Sequence, residues 1–77
     1  MVPANQEQAD AVERAHPGYA KRRDWCCEME PEDEDCERAT ALYYALCAQE
    51  GEPANVLDDL ELHLRAMEIA IAIRAVA

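Results

Sequence analysis

Residues 56–77 read VLDDLELHLRAMEIAIAIRAVA, and their spacing decides the fold. Leu57, Leu60, Leu64, Met67 and Ile71 recur at alternating steps of three and four, the period of an α-helix and the a/d seam of a short coiled coil. Asn55 supplies an N-cap, with Asp58 at the third helical position. Leu62, Ile69, Ile73 and Val76 form a second apolar row on another side of the same helix. One row suffices to bury the helix against its own domain. Two rows point to contact with another chain, and the seam Leu57, Leu60, Leu64, Met67 and Ile71 is assigned to that oligomer interface.

Working back from this helix, Gly51 and Pro53 terminate a preceding one over 32–49. Cys36, Ala39, Tyr43, Leu46 and Cys47 share one of its faces, while Glu32, Asp33, Glu34 and Asp35 crowd its first turns, where the helix dipole favours negative charge. Pro31 separates it from a helix over 19–29. His16-Pro17-Gly18 stops a first helix over 4–15, with His16 capping the turn. Asn5 and Gln8 make that helix's weak capping box. The short connections predict antiparallel neighbours. The expectation is a single all-α domain, a small three- to four-helix bundle with a long amphipathic C-terminal helix and a dimer as an open option.

Composition agrees. The chain has 77 residues, two glycines and no Phe, so its core rests on Leu, Ile, Val, Met and Ala. Trp25 is expected in that core. Seventeen acids against seven Lys and Arg give a net charge of −10. That balance argues against binding nucleic acid, which requires cations for the phosphates, and against docking on an anionic membrane. No apolar leader opens the chain, and the stretch from Ile69 to Ala77 is interrupted by Arg74 and too short to span a bilayer, which takes about 20 apolar residues. A cytoplasmic protein is expected.

The acidic run Glu28, Glu30, Glu32, Asp33, Glu34, Asp35 and Glu37 packs seven of the seventeen acids into ten residues. It lacks the interior glycine of a calcium loop. Its plain reading is a solvated helix start. Its functional reading is an electronegative patch that captures an Arg/Lys surface, with Glu30, Glu32, Asp33, Glu34, Asp35 and Glu37 as the partner-binding residues. Lys21, Arg22 and Arg23, the only basic cluster, are expected to pair with this run.

Four cysteines stand at 26, 27, 36 and 47. Nine residues lie between Cys26 and Cys36, a spacing similar to the C-x9-C helical hairpins of small mitochondrial intermembrane-space proteins. That family spaces two cysteines along each helix, whereas Cys26 and Cys27 are adjacent, so its disulfides are not carried over. On one helix Cys36 and Cys47 stand about 16 Å apart and neither bridge nor share a metal. Small buried apolar thiols are the plain reading, a disulfide from the 26/27 pair the second, and a zinc set Cys26, Cys27, Cys36 and His63 the third. His63 also lies one turn from Asp59, a pairing that by itself marks a surface or interface histidine.

No nucleophile elbow, P-loop, dinucleotide fingerprint or metalloprotease motif is present, and no cofactor is implied. A protein-binding module rather than an enzyme is expected, acting on a larger protein through a basic surface. In size, charge and helicity the chain resembles the small inhibitors and adaptors encoded by phages and mobile elements, anti-CRISPR and other anti-defence proteins among them. That resemblance implies blockade of a nucleic-acid-binding surface on a host protein. A structural homodimer or assembly adaptor and a cysteine-based redox or zinc-stabilised domain are the alternatives.

Overall fold

The computed structural model describes residues 3–76. Four helices run in order α1 (Gln6–Ala15), α2 (Tyr19–Glu28), α3 (Asp33–Glu50) and α4 (Val56–Val76), with no strand among the described residues. Residue 77, expected to complete the last helix, lies outside them. Each boundary has a local cause. The Asn5 Oδ1 accepts the Gln8 N–H at 2.8 Å to start α1, and Asn55 Oδ1 accepts the Asp58 N–H at 2.9 Å to start α4. His16 closes α1 with its N–H on the Val12 carbonyl. Gly18, at φ +93°, turns the chain into α2, and Gly51, at φ +91°, closes α3. Both positions require the left-handed region that glycine adopts without cost.

The architecture is organised around α4. The α1–α2 pair packs on one side of it and α3 on another, and no Cα of α2 comes within 8 Å of any Cα of α3. Toward α1 and α2, the helix buries Leu60, Leu64 and Ile71 against Val12, Tyr19 and Cys26, with Leu57 and Met67 packed alongside. Toward α3 it presents Ala66 and Ala70, which meet Ala39 beneath Leu42, Tyr43 and Leu46. These alanines let the two backbones approach closely, and Met67 reaches both clusters.

This arrangement corrects the assignment of the seam. Leu57, Leu60, Leu64, Met67 and Ile71 do not form an exposed oligomer interface: Leu60 and Ile71 are fully buried, Leu64 is 7% exposed, and Leu57 and Met67 pack on the same core. The reason is that α4 is central, so more than one of its sides is consumed internally. Of the second row, Leu62 is also buried, while Ile73 and Val76 remain exposed.

Polar contacts fix the helices around that core. Arg22 on α2 spans Glu61 (3.2 Å) and Glu68 on α4. Glu61 also holds Arg65 at 3.0 Å, and Arg65 reaches Glu50 at the end of α3 at 2.7 Å. Arg22 and Arg23 therefore do not serve the acidic run as expected: Arg22 is committed to α4, and Arg23 lies 3.7 Å from its neighbour Asp24. His16 Nε2 sits 3.1 Å from Asp58 Oδ1, tying the end of α1 to the start of α4. Glu13 accepts the N–H groups of Gly18 and Ala20, both at 2.9 Å, and these bonds hold its carboxyl below the ordinary value. No described helix is long and apolar enough to cross a membrane.

Candidate protein-interaction site

The corner between α2 and α3 concentrates the negative charge. Helix α2 ends with the Met29 N–H on the Trp25 carbonyl and the Glu30 N–H on the Cys27 carbonyl, both at 3.1 Å. Glu30 takes φ +50°, the one positive φ among the described non-glycine residues. Pro31 follows, and α3 starts at Asp33. Asp35 reaches back to accept the Glu32 N–H at 3.0 Å, half of a capping box. Its carboxylate also pairs with Arg74 of α4 at 3.2 Å, and Arg74 donates to the Met29 carbonyl at 3.1 Å. One arginine thus pins both the end of α2 and the start of α3.

Asp35 therefore leaves the partner-binding set. It is 1% exposed and neutralised from within, because a buried carboxylate needs a cation and donors to replace water. Glu30, Glu32, Asp33, Glu34 and Glu37, together with Glu28, are exposed. None of these six takes part in an ion pair among the described residues. Trp25, expected in the core, stands 42% exposed on α2 near this corner. It follows from the register of α2, which turns Tyr19 and Cys26 inward and leaves Trp25 outside.

Beside the corner lies a cleft of about 360 Å³, open to solvent, in the gap between α2 and α3. Its floor is Leu64 and Met67 of α4, with His63 at one side. Cys26 and Cys27 contribute from α2, and Cys36, Ala39 and Thr40 from α3. Sequence reading missed this cleft. Its signal was indirect: Cys36 and Ala39 share a face with Tyr43, but the face is wider than the strip that α4 covers.

The cysteines are free thiols. Cys26 is buried, and burial, with the charge of Glu68, pushes its thiol up to about 11. Cys27 and Cys36 are exposed, and Cys47 is half-buried. A disulfide needs Cα atoms within about 7 Å, so the separation of α2 and α3 keeps the 26/27 pair from bridging to Cys36 or Cys47 in this conformation. Cys26, Cys27, Cys36 and His63 share the wall of one cleft. They do not converge: among the described residues no three His, Cys, Asp or Glu side chains come together to hold a metal ion.

His63 has a structural partner that the sequence did not announce. Its ring stacks on Tyr43, with centroids 4.0 Å apart and planes 11° from parallel. The Tyr43 hydroxyl donates to Asp59 at 2.6 Å, and His63 Nε2 lies 3.6 Å from the same Asp59 oxygen. The bond to Asp59 raises the Tyr43 hydroxyl well above its ordinary value, while burial lowers that of His63. The stacked imidazole and phenol form a packing contact between α3 and α4, closed by the hydrogen bond from Tyr43 to Asp59. A second hollow, of about 290 Å³, lies under the α3–α4 connection between His16, Glu52, Pro53 and Leu62. No family model, no curated protein and no solved structure matches this chain.

Proposed function

We propose that the chain is an acidic protein-binding module whose α2–α3 corner occupies a basic, nucleic-acid-binding surface of a larger protein, as an inhibitor of the phage or mobile-element type would. The reading rests on one observation. The fold spends Arg22, Arg65 and Arg74 on internal ion pairs and neutralises only Asp35 of the acidic run, leaving six neighbouring carboxylates exposed and without an ion pair among the described residues. A helix start gains from one or two acids in its first turn. Six at a single corner, none in an ion pair among the described residues, repel each other, and a cationic surface relieves that repulsion.

The test is charge reversal at exposed positions only. Asp33→Lys, Glu34→Lys and Glu37→Lys together leave the Asp35–Arg74 pair in place. Proteins captured by the wild-type chain are expected to be lost by this variant and to be displaced by duplex DNA, with helicity unchanged. Capture indifferent to both would sink the proposal. Self-assembly is the competing reading. It would use Ile73 and Val76, which are exposed, rather than the buried seam, and mass by light scattering separates the two.

A further inference from the structure

The geometry points to the cleft between α2 and α3 as the seat of an amphipathic, Lys/Arg-bearing helical segment of the partner, lying on Leu64 and Met67 with its cations toward the flanking acids. The inference rests on the protein-binding reading above and names what that surface takes.

Three observations carry it. First, the cleft is an opening between helices over an apolar floor, because the backbones of α2 and α3 stay more than 8 Å apart along their whole length. A site for a free small molecule encloses most of its ligand; this cleft is open to solvent and suits side chains presented by a larger body. Second, its lining is soft. Cys26, Cys27, Cys36 and Met67, four sulfur-bearing residues, are among those that line it. Polarisable, adaptable side chains of this kind accept Leu, Ile or Met of varied shape, and an apolar helix face laid in a hydrophobic groove is a recurring mode of recognition.

Third, the two helices that wall the cleft carry exposed acids next to its lining residues. Asp33 and Glu37 adjoin Cys36 and Thr40 on α3, and Asp24 and Glu28 flank Cys27 on α2; all four are exposed. Arg23 is the cation on the α2 wall, and it lies 3.7 Å from Asp24. A second copy of this chain is disfavoured as occupant, since it would bring another net charge of −10 to the same rims. A segment with Leu on one face and Lys or Arg on the other satisfies floor and rims together.

The probe is a synthetic peptide of Leu and Lys with Leu at i, i+3, i+4 and i+7, compared with a peptide of the same composition whose order abolishes the apolar face. Amide shifts of the full chain are followed by NMR during titration. Shifts centred on Cys27, Thr40, His63 and Met67 with the patterned peptide, and weak ones with the scrambled peptide, are expected. Thr40→Trp, which fills the mouth from an exposed position, should weaken the patterned peptide by about tenfold while leaving helicity intact. Equal binding of both peptides, with shifts confined to Asp33, Glu34 and Glu37, would overturn the cleft and leave the acidic-surface reading standing. Shifts at the cleft that follow protein concentration without peptide would assign it to a second copy and overturn the proposal as well. No shift with either peptide would remove both the cleft and its acidic rims as a site for basic segments.

Discussion

Glu30 carries the one positive φ among the described non-glycine residues, at the C-terminal end of α2 where glycine is the common choice. A side chain there costs about 1 kcal/mol relative to glycine. Glu30→Gly is therefore expected to stabilise the fold by about 0.5–1 kcal/mol, seen as a rise in melting temperature of about 2–8 °C for a chain of this size. A lower melting temperature would mean that the Glu30 side chain makes a contribution beyond its backbone. Cys26 sets a pH limit of a different kind. Its thiol is raised from 9.0 to about 11, chiefly by burial. A group raised on folding contributes stability that is complete below its unfolded value and is lost as pH climbs through the folded one. Urea unfolding should show stability falling between pH 9 and about 11. Cys26→Ala should flatten that decline, and parallel curves for the two proteins would refute the account. The raised tyrosines, Tyr19 and Tyr43, act in the same direction and remain in both.

At the scale of the element, α4 shows what a sequence pattern conveys and where it stops. The three-four spacing of Leu57, Leu60, Leu64, Met67 and Ile71 made a helix legible, and Asn55 gave its start to the residue. What the row packs against was not legible. A stripe of leucines has the same spacing whether it faces a sister helix or a second protomer. The decision came from Ala66 and Ala70, whose small side chains admit α3 on another side and make α4 the centre of the fold. Leu64→Ala is accordingly expected to cost about 2–5 kcal/mol, a large share of the stability of so small a domain, and to lower helicity. If it instead changed only the oligomeric mass, with helicity and melting temperature preserved, the seam would have to be an interface after all. The acidic run was legible as a patch, and five of its six assigned residues are exposed. Asp35 was not separable from them, because its role depends on Arg74, thirty-nine positions away. Trp25 was misread for a related reason: α2 is covered on one narrow side, and residue type alone does not say which side.

For the molecule as a whole, the dependence of every helix on α4 bears on the order of events in synthesis. The three helices that precede α4 share few surfaces: α1 touches α2, and neither α1 nor α2 packs on α3. Each of them holds its apolar face toward a helix that the ribosome has not yet delivered. Short isolated helices of 10 residues, such as α1 and α2, are marginal in water. Until α4 is present, the segments before it have only the α1–α2 contact between them, so ordering of the fold waits for α4. Repulsion among the six carboxylates around the α2–α3 connection favours an extended chain over a collapsed one until then.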